Sequence, residues 1–208
     1  MAQVSARLSV RLFGGLSVSL RSGAPLPLPT RKAQALLAYL AVRPGQAHPR
    51  AKLATLLWGD APDEQAHHRL RQTLFDLRKA LPTTRPGCLV ADARSLALSA
   101  SAVDVDVTSF ERLVTRATPA ALAQAATLYR GDLLEGLAVK EPGFEDWLVV
   151  ERERLRELAL SAIGKLLVHH VEAGPDERAI QTAMRLLALD PLREEAHRGL
   201  MRLFARQG

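Results

Sequence analysis

Between Asp63 and Leu81 the chain reads DEQAHHRLRQTLFDLRKAL, and two sets of residues recur in it at helical spacing. Leu70, Leu74, Leu77 and Leu81 return at intervals of four, three and four, laying an apolar stripe along one side of an α-helix. Arg69, Gln72, Thr73, Asp76 and Lys79 return at intervals of three and four on another side, with no large apolar residue among them. The chemistry open to that second set is recognition of base-pair edges. Arg pairs with guanine, Gln with adenine, a carboxylate accepts from cytosine N4, and Thr meets either a base edge or the thymine methyl. An ordinary solvated helix face can have the same composition, so the meaning of the strip depends on its surroundings.

Those surroundings are basic. Residues 1–99 carry 14 Lys and Arg against 5 Asp and Glu, and residues 100–208 carry 14 against 17, within a total formal charge of +6. The pI near 10 therefore belongs to the N-terminal half. A module of that charge suits a polyanion, because neutralising phosphates releases condensed counterions. An anionic membrane surface is the competing partner. It asks for a helix strongly basic on one face and strongly apolar on the other, and no segment here has that form.

Length and composition narrow the class. At 208 residues, 48% of them hydrophobic, the chain fits one large or two small globular domains. The N-terminus MAQVSARLSV lacks the apolar core of a signal peptide, and no apolar run reaches the roughly 18 residues of a membrane span. A single cysteine, Cys88, excludes an internal disulfide and fits a reducing cytoplasm. No GxxxxGK[ST] loop is present. The adjacent pairs His67–His68 and His169–His170 diverge by about 100° on a helix and do not make a zinc site. Glu151, Glu153 and Glu157 alternate with Arg152, Arg154 and Arg156 as a solvated, ion-paired helix face. No nucleophile–base signature occurs, so neither an enzyme, a metal nor a cofactor is expected. Trp58 and Trp147 are read as core anchors.

The elements that must position the strip follow from periodicity. LSVRLFG and LSVSLRSG alternate as strands around Gly14–Gly15, with a third short strand at Pro25–Leu28. Thr30 caps a helix carrying Ala33, Leu36, Leu37, Leu40 and Ala41, which Arg43–Pro44–Gly45 ends. Pro49 opens a short second helix with Leu53, Leu56 and Leu57 inside and Trp58 at its end. The long helix Asp63–Leu81 begins with acidic residues that suit its dipole and stops at Pro82 and Pro86. CLVAD and SLALS then form a hairpin with Arg94 at its tip. A small β-sheet, three helices and a C-terminal hairpin predict an α+β winged helix-turn-helix over residues 1–102. Its third helix would enter the major groove, and its hairpin would lie along a minor groove whose potential attracts Arg94. Residues 103–208 read as all helix: Pro119–Leu134, about Phe144 to Val171 up to a break at Gly174–Pro175, Asp176–Leu189, and Arg193–Arg206. Ala-rich helix pairs there predict tetratricopeptide-like packing.

The runs RLFGGLSVSL, TRKAQALLAYLAVRPGQ, LATLLWGDAP and RLRQTLFDLRKAL, followed by VDVDVTSFERL, resemble the DNA-binding domain of the Streptomyces antibiotic regulatory protein family. That domain is an OmpR/PhoB-type winged helix. LYRGDLLEG, FEDWLVVERERLRELAL and LALDPLREEAHRGLMRLFARQG resemble the bacterial transcriptional activator domain that follows it in the same family. Together the matches cover about residues 7–207. Members usually continue with further helices, and large ones with an ATPase domain. A chain that stops at Gln207–Gly208 is therefore expected to be a short member or a fragment truncated at its C-terminus.

The resemblance maps the recognition helix onto Asp63–Leu81. Arg69 and Gln72 are then the leading base readers, joined by Thr73 and by Asp76, which either accepts from cytosine or holds Arg69 or Lys79. Arg31, Lys32, Arg50 and Lys52 stand at the N-termini of the first two helices, where cations and helix N–H groups meet phosphates. Lys79 and Arg94 complete the backbone set. His67 and His68 are read as surface residues, and Arg71 and Arg78 as flanks that bind backbone or salt-bridge within the protein. The expected function is a cytoplasmic, sequence-specific transcription regulator of double-stranded DNA. The resemblance adds activation, self-association on direct repeats near promoters, and RNA polymerase as partner; no membrane partner is expected. The alternative is an interaction or sensor module of a larger regulatory protein, with the helical domain as its working part.

Overall fold

The computed structural model describes residues 8–81, 87–173 and 175–207; the expected stops at Pro82 and Pro86 and the break at Gly174 lie outside them. Contacts divide the chain into two compact units, Met1–Thr108 with Gly131–Arg152 and Ser109–Arg130 with Glu153–Gly208. The chain passes between units after Thr108, Arg130 and Arg152, whereas the sequence reading places one boundary between residues 102 and 103.

The first unit begins with β1 (Leu8–Arg11) and β2 (Ser17–Leu20), antiparallel with Val10 opposite Val18. The turn between them needs left-handed backbone, supplied by Gly14 (φ 70°) and Gly15 (φ 117°). On its other edge β1 pairs in parallel with β6 (Val103–Val105), giving the order β2-β1-β6. The Asp106 carboxylate then accepts from the backbone N–H groups of Leu12 at 2.9 Å, Phe13 at 3.2 Å and Val107 at 2.9 Å. The carboxylate thus gives acceptors to buried backbone donors where the ladder ends. The strand expected at Pro25–Leu28 reduces to a bridge between Ser19 and Pro25, because Pro25 and Pro27 have no N–H to give a ladder.

Helix α1 (Arg31–Val42) is capped by Thr30, whose hydroxyl accepts from Ala33 N at 3.1 Å. Nine of its twelve residues are buried, as its nearly all-round apolar sequence requires. Around it pack α2 (Arg50–Trp58) and α3 (Asp63–Ala80). Each Leu these helices bury fully contributes about 1.5–3 kcal/mol of transfer free energy. The second sheet has the order β3-β5-β4, from β3 (His48–Pro49), β4 (Leu89–Ala91) and β5 (Ser95–Leu98). The β4–β5 hairpin matches the sequence reading; β3, two residues long, does not appear there. Segment Gly131–Arg152 completes this unit. Leu133 bridges Phe13, Leu134 (φ 53°) donates to Leu12 O at 2.8 Å, and Arg152 donates to the carbonyls of Leu133 and Leu134. Trp147 is half-buried against Tyr39 and Phe144, with ring centroids 4.8 and 5.2 Å away.

The second unit holds α4 (Asp106–Arg116) from residue 109 onward, α5 (Pro119–Leu128), the C-terminal part of α6 (Pro142–Ala173), α7 (Asp176–Leu189) and α8 (Glu194–Gln207). Its core joins Leu122, Ile163, Leu166, Leu167, Leu186 and Leu203 with Ala126, Ala179, Ala183 and Ala196. Helix α5 stops at Leu128, short of the expected Leu134. Arg185 donates to the carbonyls of Ala126 and Tyr129 there, which satisfies orphan acceptors of the last turn. Arg156 does the same for Leu189 O of α7 at 2.8 Å. No helix among the described residues is long and apolar enough to cross a membrane.

Candidate nucleic-acid interface

Helix α3 buries Ala66, Leu70, Thr73, Leu74 and Leu77. The expected apolar stripe is thus present, and Leu81 caps it at 6% exposure. Of the expected groove face, Arg69, Gln72 and Lys79 are exposed and Asp76 is half-buried. Thr73 is a correction: it is 8% exposed. Position 73 lies three residues after Leu70 and four before Leu77, which places it in the buried row. The open face is wider on its other side. His68, Arg71, Phe75 and Arg78 are exposed there, and Phe75, at 51% exposure, breaks the expectation of a face without large apolar residues. The Lys79 ammonium lies 4.3 Å from the Phe75 ring centroid. Asp76 holds neither Arg69 nor Lys79; it accepts a long 3.4 Å hydrogen bond from Gln72.

The first turns of α3, the start of α2 and the hairpin tip line one open cleft of about 1130 Å³. Its walls carry Arg50, His67, His68, Arg69 and Arg71 against Asp63 and Glu64, with Ala93 at the hairpin end. Arg50 fixes this arrangement. Its Nε donates to Asp92 O at 3.0 Å and its backbone N–H to Arg94 O at 2.9 Å, tying α2 to the hairpin turn. Within the turn the Asp92 carboxylate accepts from the N–H groups of Arg94 and Ser95 at 2.7 and 2.6 Å and from the Ser95 hydroxyl at 2.8 Å. The Ser95 hydroxyl, followed by those N–H groups, holds Asp92 below its ordinary carboxylate value. Arg94 stays exposed, its guanidinium without a protein partner among the described residues.

The four cations expected at helix N-termini separate. Lys52 is exposed with no bonded partner among the described residues. Arg50 is committed to the hairpin but still lines the cleft. Arg31 is exposed and reaches Ala138 O at 3.4 Å. Lys32 is a correction: its ammonium pairs with Glu141 at 2.5 Å, donates to Leu57 O at 2.6 Å and lies 5.7 Å from the Trp58 ring. A half-buried ammonium satisfied by two oxygens and an aromatic face is a structural tie, unavailable to phosphate. Below Lys52, His48 is 5% exposed, edge-on to Tyr39, its Nε2 without a partner among the described residues. Burial, and then the Lys52 charge, lower its pKa.

Sequence reasoning reads His68 as a surface residue and Arg71 as a flank that binds backbone or salt-bridges within the protein, and it assigns Phe75 no role. Their signal was available: each lies at 3–4 or 7 residues from another member, the spacing of one face. Among the described residues no group of three or more His, Cys, Asp or Glu could hold a metal ion.

Three comparisons bear on this arrangement. Residues 105–208 match the family model of the bacterial transcriptional activator domain. The regulatory protein AfsR of Streptomyces coelicolor is 29% identical over 200 residues, covering 90% of this chain and 19% of AfsR, so the chain spans about a fifth of that relative's length. A solved structure of Mycobacterium tuberculosis EmbR, in complex with a low affinity phosphopeptide, shares the fold with a TM-score of 0.56 at 20% identity, over 98% of this chain and 66% of that one. The small mixed sheet followed by helices is common to both folds. The chain belongs to the bacterial transcriptional activator domain family.

Proposed function

We propose that this chain is a cytoplasmic, sequence-specific DNA-binding regulator, an activator, whose first unit works as a winged helix-turn-helix. Helix α3 enters the major groove, and the β4–β5 hairpin acts as the wing beside the minor groove. The observation that carries this reading is the open face of α3. Arg69, Arg71 and Lys79 have no hydrogen-bond or ion-pair partner among the described residues, and Arg69 and Arg71 share one cleft with Arg50 and the hairpin tip. Cations that a fold leaves unpaired on one helix face beside a cleft fit a polyanion, and the exposed amide of Gln72, three residues after Arg69, fits a base edge. Arg69, Gln72 and Asp76 read bases, while Arg50, Lys52, Lys79 and Arg94, with Arg31 at the margin, meet phosphates. Tandem copies on direct repeats, with RNA polymerase contacted by the helical part, extend this reading.

The helical part has its own support as an interaction half. Met184 of α7 and Met201 and Phe204 of α8 are each more than half exposed, and adaptable apolar side chains suit partner contact. Selection of binding sites from random duplex DNA by the purified chain, at low and raised salt, tests the proposal. A motif retained at raised salt supports it. Binding that disappears with salt and enriches no motif leaves only nonspecific phosphate contact and removes the base-reading role of α3.

A further inference from the structure

We propose that Phe75 is a specificity-determining residue that contacts the 5-methyl group of one thymine in the bound site. This inference rests on the reading of α3 as the groove helix. Phe75 is 51% exposed and is the one large apolar side chain on the exposed face of α3. Its neighbours at three and four residues are Arg71, Gln72, Arg78 and Lys79, all exposed, and seven residues before it His68 lies within about 20° on the same line. The ring is also held in place, with the Lys79 ammonium 4.3 Å from its centroid.

This setting discriminates among occupants. An apolar protein surface would require several apolar residues together, as interface cores do, whereas Phe75 stands singly among four cationic or amide side chains. Phosphate satisfies the cations but gives the ring nothing. The floor of a major groove supplies both: phosphates at its margins for Arg71, Arg78 and Lys79, and the thymine methyl, its exposed apolar group, for the ring. By approaching the ring face, Lys79 orients Phe75 without covering its edge, and its own charge remains available to the backbone. Phe75 thereby selects T over C at one position that neither Arg69 nor Gln72 reads.

The experiment uses the full chain and a duplex recovered by selection from random DNA. Each thymine is replaced in turn by uracil, which keeps pairing and removes only the methyl. Wild type is expected to lose about fourfold in affinity at one position, the equivalent of about 0.8 kcal/mol for one methylene-sized group. Phe75→Ala is expected to bind the thymine and uracil duplexes equally there, while Arg69→Ala keeps the fourfold contrast. An unchanged melting temperature of Phe75→Ala shows that the exposed site has not altered the fold. If every replacement costs both proteins the same, or no thymine shows contrast in wild type, Phe75 is not a base contact although α3 still reads DNA. If selection enriches no site at all, the groove-helix reading fails and this inference fails with it.

Discussion

At the scale of single residues, the cations of the first unit separate into those the fold uses and those it leaves over. Arg69→Ala and Gln72→Ala should each cost roughly 1–3 kcal/mol on the selected site and relax preference at one base, read by titration on mismatched duplexes. Lys52→Ala should weaken all duplexes alike and lower the slope of log affinity against log salt by about one. Lys32→Ala should do neither. It strands the Glu141 carboxylate, whose side chain is 13% exposed, so it should lower folding stability by about 1–3 kcal/mol in urea with an unchanged salt slope. His48 gives a pH test. Its folded pKa lies below its ordinary 6.5, so above 6.5 both states are neutral and stability is flat. Below 6.5 the unfolded state takes up a proton that the folded state resists, and stability falls with pH. Melting temperatures of wild type and His48→Leu from pH 7.5 to 5 should show the decline shrinking in the variant. A residual decline is expected from His170 of the second unit, lowered in the same direction by burial and then by His169 and Arg178.

At the scale of elements, what fixes α3 is the set of ties around it. Asp106 joins β1 to the start of α4 through three backbone donors. Asp106→Ala removes the acceptor of these bonds and should cost about 3 kcal/mol or more in chemical denaturation. Asp106→Asn should recover part of that loss. Thr30→Ala should cost about 1 kcal/mol through the lost cap of α1. The turn at Asp92 and the Arg50 bonds to it set the hairpin against α2. Alternating residues made the hairpin legible in the sequence, as helical periodicity did for α1 and α3 and the Thr30 cap. The strands β3 and β6 were not legible: two and three residues long, they have too little pattern of their own and exist through distant partners in β5 and β1. The end of α5 is not legible for a similar reason, since Tyr129, Leu133 and Leu134 continue the apolar pattern but are buried outside the helix.

At the scale of the whole molecule, the chain order and the compact units do not coincide. Gly131–Arg152 belongs with the first unit and brings it Leu133, Glu141, Phe144 and Trp147. A chain ending after Thr108 retains the entire open face of α3 but loses Glu141 beside Lys32, Trp147 beside Tyr39 and Leu133 bridged to Phe13. It should melt well below the full chain in a calorimetric scan, although its charge predicts undiminished attraction to DNA. An equal melting temperature would show that Gly131–Arg152 is dispensable to the first unit. The division of charge between the halves of the sequence also survives as a physical property, since it requires no fold to be summed.

The sequence by itself determined the helices with strong periodicity, the hairpin, the concentration of positive charge in the first half and the motifs that carry the family. These are local or additive properties, and a window of a few turns contains all the information they need. The tertiary structure decided which side chains of those elements stay available. Thr73 and Phe75 lie on the same helix two positions apart, about 200° around it, and only packing against α1 and α2 shows where the buried row ends. Lys32 and Lys52 both stand in first turns of short helices, yet one meets Glu141, 109 residues away, and the other forms no hydrogen bond or ion pair among the described residues. Long-range contacts assign such side chains to the core or to a partner, because desolvation and pairing depend on neighbours that the local sequence does not contain.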